Sequence, residues 1–224
     1  THYYGFHEFN WPVNYLHSIK DSDVKADIKT IKEMGFNSII LLAAWPEFEP
    51  EIGSPDEYIY KKINNIIKTA KELNINVFIR IPYLWSIEGD EILQRLAYAL
   101  IDYGDYRKNF LKFIADFRSR VVVPNSNVIE LFGSWEDFYV VKDLFFSRED
   151  CSSKFYNVCK EIGRAFKASK GIEKSEVALR GKNFDKFMSW IDEEILKISK
   201  EIGNYGYEAR VDLDPYEKDG KIYW

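Results

Sequence analysis

The chain reads as an α/β protein and, within that class, as a (β/α)8 TIM-type barrel. Three observations predict it. Short apolar runs, of the kind expected for parallel strands covered on both faces, alternate about six times with amphipathic helical stretches along the 224 residues. The first run is followed by Glu8-Phe9-Asn10-Trp11-Pro12, not by the glycine-rich turn that receives phosphate in a doubly wound sheet. Rings and charged groups also follow one run after another, which is where a barrel places its functional residues.

The elements are expected in this order. Tyr3 to Phe9 is a short aromatic strand ended by Asn10-Trp11-Pro12. Asp21, Ser22 or Asp23 caps a helix carrying Val24, Ile28, Ile31 and Met34 on one face and stopped by Gly35. Ser38 to Ala44 is the second strand, closed by Trp45-Pro46, and an acidic loop spans Glu47 to Glu57. A helix from about Tyr60 to Leu73 leads to a third strand, Asn76 to Ile81, closed by Pro82. The insertion Tyr83 to Tyr103 carries a short helix of its own, and Tyr106 to Arg120 is helical with Phe110, Phe113, Ile114 and Phe117 on one face. Asn127 to Gly133 is the fourth strand, running into Trp135-Glu136-Asp137. Ser152 to Ala168 repeats the helix, Glu176 to Arg180 the strand, Phe184 to Ile202 the helix and Tyr207 to Leu213 a sixth strand. A barrel usually takes about 250 residues. The expectation is therefore one barrel domain over 1–224 with its C-terminal strands missing and a seventh strand starting at Lys221-Ile222-Tyr223-Trp224.

Composition narrows the function classes. A net charge of −5 with both signs interspersed gives no basic face to neutralise a phosphate backbone, so nucleic acid is not expected as a partner. No apolar run is long enough to span a bilayer, and no secretory signal is visible. The expectation is a soluble protein, cytoplasmic or secreted after removal of a leader. Cys151 and Cys159 fall eight residues apart in one expected helix, roughly 12 Å of rise, too far to pair with each other. Sixteen Phe, fifteen Tyr and six Trp suit core packing first and stacking on a ligand second.

The residues that could carry chemistry sit after the strands. They are His7 and Trp11 after the first, Trp45 after the second, Arg80, Tyr83 and Trp85 after the third, Trp135 and Glu136 after the fourth, Arg180 after the fifth, and Asp212 with Asp214 after the sixth. Trp11, Trp45 and Trp85 could stack on sugar rings or plug the loops. Arg80 could clamp a carboxylate or a sugar hydroxyl, or pair structurally with Glu8 or Glu136. His7 is the best placed of the three histidines, with His2 and His17 expected at the surface. Asp212 and Asp214 could bind substrate, but no third ligand is in view, so neither a metal site nor a cofactor is expected.

Trp45-Pro46-Glu47-Phe48-Glu49-Pro50-Glu51-Ile52-Gly53, a helix, and then Ile75-Asn76-Val77-Phe78-Ile79-Arg80 resemble a segment of the barrel glycoside hydrolases of the β-galactosidase and cellulase superfamily. The segment is the one from second to third strand, in which a Trp, a Glu-Pro-x-x-Gly loop and a strand recur in that order. The similarity covers roughly the first eighty residues. It implies two carboxylates, a general acid/base after the fourth strand and a nucleophile after the seventh. In a retaining enzyme they stand roughly 5 Å apart, one protonating the leaving oxygen while the other attacks the anomeric carbon. Glu136 is the candidate acid, and Trp135 packed over it would desolvate the carboxyl and keep its proton near neutrality.

The fourth strand of the family typically ends Asn-Glu, often with a Glu four residues before the catalytic one. Aligning that earlier Glu on Glu130 puts Gly133-Ser134 at the acid position, and sliding by two puts Trp135-Glu136 there. Period-two alternation places Glu130, Phe132, Ser134 and Glu136 on one face. The expected function is hydrolysis of a glycosidic bond in an oligo- or polysaccharide. The rivals are an inactive barrel that binds glycan through the same rings and a barrel enzyme acting on a phosphorylated small molecule. Sugar, linkage, anomeric outcome and oligomeric state are not legible.

Overall fold

The computed structural model describes residues 1–5, 15–81, 90–132, 156–171, 182–203, 206–207, 216–218 and 221–223. Within them β1 (Ser38–Leu42), β2 (Asn76–Ile81), β3 (Val128–Phe132) and β4 (Gly206–Tyr207) form one sheet in the order β1-β2-β3-β4, every neighbouring pair parallel. The order follows the sequence without reversal, as in a barrel wall, whereas a doubly wound sheet changes direction partway.

Of the first expected strand, Tyr3 to Phe9, only the start lies within the described residues, and there the chain meets β1 through a bridge at His2. Tyr3 N–H donates to Ile40 O at 3.1 Å and Ile40 N–H to Thr1 O at 2.8 Å, so His2 pairs in parallel with Ile40. Gly5 has a φ of +83°, in the left-handed region, and the next edge groups of β1 are occupied by a side chain. The Tyr15 hydroxyl donates to Leu42 O at 3.0 Å and accepts from Leu42 N–H at 3.1 Å, standing in for a strand. Counting this bridge, β3 is the fourth station of the sheet.

Two further expectations are corrected. Leu131 and Phe132 of β3 pair with Gly206 and Tyr207, so the strand expected sixth lies directly beside the fourth. The helices α7 (Tyr156–Lys170) and α8 (Lys182–Ile202) precede it and pack together through Phe166, Phe187 and Trp190. The expected strand Glu176 to Arg180 lies outside the described residues. At the C-terminal end, β5 (Tyr216–Lys218) and β6 (Lys221–Tyr223) form a separate antiparallel pair instead of a seventh parallel strand. The Asp219-Gly220 dipeptide between them is a two-residue hairpin signal.

The other helices fall close to where periodicity put them. They are α2 (Asp21–Glu33), α4 (Glu57–Glu72), α5 (Asp90–Leu100) and α6 (Tyr106–Phe117), joined by two single turns, α1 (Tyr15–Ser18) and α3 (Trp45–Phe48). The side chain of Asp56 caps α4 by accepting from Tyr58 N–H at 2.9 Å and Ile59 N–H at 3.2 Å. A π turn, Arg118–Val122, continues α6, and Arg118 at its start ion-pairs with Glu130 of β3 at 3.0 Å. Cys159 lies in α7, and Cys151 lies outside the described residues. Among the described residues no helix is long and apolar enough to cross a membrane.

Parallel register divides the sheet into two unlike faces. Ile39, Leu41, Val77, Ile79, Ile81 and Phe132 are buried in one core with Ile28 of α2, Ile63 and Ile66 of α4, and Phe110 and Phe113 of α6. The opposite face carries Ile40, Phe78, Ile129, Leu42, Arg80 and Leu131, and there Ile129 is 44% exposed. Phe113 lies at the centre of the helix-side core, its ring within 6.4 Å of those of Trp45, Phe48, Phe110 and Phe117. Phe113→Ala should therefore cost about 3–5 kcal/mol in urea denaturation. Ile129→Ala, on the open face, should cost less than about 1 kcal/mol.

Candidate functional site

A barrel presents its chemistry at the C-terminal ends of its strands, and here the end of β1 is the best defined. Ala44 is extended, Pro46 supplies the fixed φ of a helix start, and the chain makes the single turn α3 before Glu49 leaves it. The Glu49 carboxylate accepts from the Trp45 indole N–H at 2.9 Å and from Gly53 N–H at 3.2 Å through the same Oε2. Gly53 has a φ of +84°, where a side chain would be strained. Arg95 of α5 donates to the backbone carbonyls of Glu49 and Pro50 and lies 5.8 Å from the Trp45 ring. Each position of the Trp…Glu-Pro-x-x-Gly pattern thus has a physical task in closing this loop.

That architecture moves Trp45 from the expected mouth to the core. Its ring is 2% exposed and is packed against Phe110 and Phe113, so it is not offered to a ligand as a stacking platform. Glu47 and Glu49, read from sequence as part of an acidic loop, are both buried. Arg80 lies on the open face of β2, two positions along from the row that contains His2, and its Nη1 is 3.3 Å from His2 Nε2. The His2 ring stacks on Tyr4 at 5.8 Å, and Tyr4 meets Tyr15 edge-on at 5.4 Å. An imidazole, a guanidinium and a phenol therefore come together on the open face near the strand ends. The sequence reading missed His2 and Tyr4 here; their period-two spacing was the signal that could have joined them. His7, Trp11, Tyr83, Trp85, Trp135, Glu136 and Asp212 lie outside the described residues, as do Arg180 and Asp214.

Glu130 points the other way. Its pairing with Arg118, and the packing of Phe132 against Phe110 at 6.4 Å, place both side chains on the helix-covered face. Glu130 and Phe132 therefore lie on the face opposite Arg80.

Glu47 is the most perturbed acid at the strand end. One oxygen accepts from Leu16 N–H at 3.3 Å and the other, Oε2, is buried without a hydrogen-bond partner. Burial pushes its pKa up to about 8; the Leu16 hydrogen bond opposes this, and the Asp56 charge adds to it. Among the described residues no group of three or more His, Cys, Asp or Glu side chains could hold a metal ion.

No protein-family model and no curated protein matches the chain. Several solved structures are similar in fold. Beta-glycosidase BGL167 is 13% identical, with 80% of this chain and 43% of that one covered, at a TM-score of 0.45. Exo-beta-1,4-mannosidase Op5Man5 from Opitutaceae bacterium strain TAV5 is 15% identical, with 73% and 29% covered, at 0.47. GH5_18 from Streptomyces cattleya, in complex with GlcNAc, is 10% identical, with 87% and 40% covered, at 0.48. The chain spans less than half the length of each.

Removing the Glu49 carboxylate leaves two buried or partly buried N–H donors unsatisfied. Glu49→Ala should cost about 2–4 kcal/mol on that ground, and Glu49→Gln, which keeps one acceptor oxygen, less. Chemical denaturation measures the loss, and a shift of the Trp45 indole N–H resonance locates it.

Proposed function

We propose that this chain is part of a barrel glycoside hydrolase that cleaves O-glycosidic bonds of an oligo- or polysaccharide, with Glu136 as general acid/base. The observation that carries the reading is the position of β3. It is the fourth station of an unreversed parallel sheet, and Trp135-Glu136 follows shortly after its last residue, Phe132. Support also comes from the loop after β1, the segment that resembles the β-galactosidase and cellulase superfamily, where Glu49 bonds Trp45 and Gly53 in a built turn. The open face supplies polar groups, Arg80, His2 and Tyr4, of the kind that hold sugar hydroxyls.

The chemistry needs a carboxyl that carries a proton at working pH and gives it to the glycosidic oxygen as the bond to the anomeric carbon breaks. Glu136 takes that role, and an indole next to it in sequence, Trp135, is of the kind that limits the hydration of a carboxyl. In a retaining mechanism a second carboxylate attacks the anomeric carbon, after which Glu136 removes a proton from the incoming water. That second carboxylate lies outside the described residues, and Arg80 is placed to steer it or a hydroxyl of the sugar.

One observation favours the glycan-binding alternative. Since Glu130 and Phe132 face the helices, a strand extended through Ser134 would carry Glu136 to the covered side, away from Arg80. Catalysis requires the chain to leave strand geometry after Phe132. Replacing Glu136 by Gln in the full polypeptide should lower turnover of an aryl glycoside by about 100-fold or more, with little change in oligosaccharide binding. Unchanged turnover would remove Glu136 from the mechanism, and binding without turnover in the unaltered protein would establish the alternative.

A further inference from the structure

The proposed hydrolysis makes no use of Glu47, which is 3% exposed. It sits on α3, directly beneath the start of α1, and its one hydrogen bond is to the backbone of Leu16, next to Tyr15. Tyr15 is the residue that occupies both edge groups of Leu42, where a strand would otherwise pair. The contacts run on from Tyr15 to Tyr4, from Tyr4 to His2, and from His2 to Arg80. A single buried carboxyl is thus joined, through touching groups, to the edge of β1 and to the polar cluster on the open face.

We propose that Glu47 is a proton-operated latch: its neutral carboxyl holds α1 against α3, keeping Tyr15 on the β1 edge, and its ionisation loosens α1 and with it the Tyr4–His2–Arg80 cluster.

The surroundings show why the neutral form is the holding one. From α1 the facing titratable group is Tyr15, whose hydroxyl burial pushes well above its ordinary range and which remains neutral. From the N-cap of α4 comes Asp56, whose charge repels a Glu47 carboxylate. Lys62 of α4 is turned to Asp21 at 3.1 Å and to the Tyr58 hydroxyl at 3.3 Å, and His17 of α1 stacks on Tyr58 at 5.9 Å. On its own turn, Glu49 is directed at Trp45 and Gly53. No cation among these described groups compensates an anion at Glu47, and Oε2 has no donor to meet a negative charge. The ionised side chain is stable only where water reaches it, which requires α1 to lift.

The sign follows from linkage. In the closed form the carboxyl titrates at about 8, and once opened it returns to its ordinary value of 4.5. Opening therefore releases a proton between those values, is favoured as pH rises through that window, and levels off above it. The amides that report it are those of Leu16 and Leu42, and Val77 N–H, bonded to Asn127 O at 2.8 Å within the sheet, serves as reference.

The experiment is hydrogen exchange on the 224-residue chain, corrected for the intrinsic base catalysis of exchange. Protection at Leu16 and Leu42 should fall about tenfold per pH unit from roughly pH 5.5 to 7.5, with Val77 unchanged. In Glu47→Gln, neutral at every pH, protection should stay flat. Constant protection in the unaltered protein, or an equal fall in the variant, overturns the latch. Should the variant not fold, the Glu47 carboxyl carbon resonance of the unaltered protein decides: a midpoint near 8 supports the latch, and a midpoint of about 5 or lower removes it. None of these readouts depends on glycosidase activity.

Discussion

The loop after β1 is held by one buried carboxylate, and the layout of the N-terminal half follows from it. Glu49 ties the Trp45 indole to the Gly53 backbone, so the chain must turn immediately after β1 and run back toward α4. Asp56 N–H then reaches Phe48 O at 2.8 Å and the Asp56 side chain caps α4, so the turn and the helix start are one unit. Arg95 brings α5 onto the same loop by binding its carbonyls. A single acidic side chain therefore coordinates the exit from one strand, the start of the crossover helix and the docking of the next. Without it, Trp45 would carry an unbonded indole N–H into the core, at a cost of about 1–3 kcal/mol.

That constraint also decides which side of the sheet is filled. Trp45 and Phe48 lie with Tyr60, Phe110, Phe113 and Phe117 in one aromatic cluster between the sheet and the helices. Rings of this size give the helix layer its area, and strand alternation leaves the other face with Ile40, Phe78, Arg80, Ile129 and Leu131. The C-terminal helices join the same layer through a charged contact: Arg107 of α6 meets Glu194 of α8 at 3.0 Å while also bonding Ala99 O and Leu100 O.

How much of this was legible depends on the range of the interaction. The stripe Phe110, Phe113, Ile114 and Phe117 announced α6, and all four are buried, because helical periodicity is written in neighbouring residues. The run Ser38 to Leu42 likewise declared a strand covered by apolar neighbours. What the sequence hid is side chains that bind distant backbone. Nothing in Tyr15 announces a hydroxyl that replaces a strand at Leu42, and nothing in Glu47-Phe48-Glu49 announces two buried acids in what reads as a solvated loop. The same holds for the antiparallel hairpin that reads from sequence as the start of a seventh strand. Of the candidate residues, Arg80 lies near the end of β2, and Trp45 takes the core side of the two readings the sequence left open, because a tryptophan beside a proline after a strand looks the same whether its ring faces a ligand or a core.

Glu47, Glu49 and Glu194, all buried, show why burial by itself does not make an acid catalytic. Glu194 is met by the cations Arg107 and Lys197, and Glu49 by two N–H donors. Glu47 has one backbone donor and an orphaned oxygen, and it is the one whose proton burial retains to about pH 8. A general acid needs that same retained proton, but it also needs a path from the proton to the leaving oxygen. Glu47 is 3% exposed, bonded to α1 and beside the cap of α4, so among the described residues its proton is not presented to a ligand. A perturbed acid thus marks a candidate site only where it opens on a cleft. By that criterion the catalytic proposal rests on the position of Glu136 after the fourth station of the sheet, and Glu47 belongs to the mechanics of the fold.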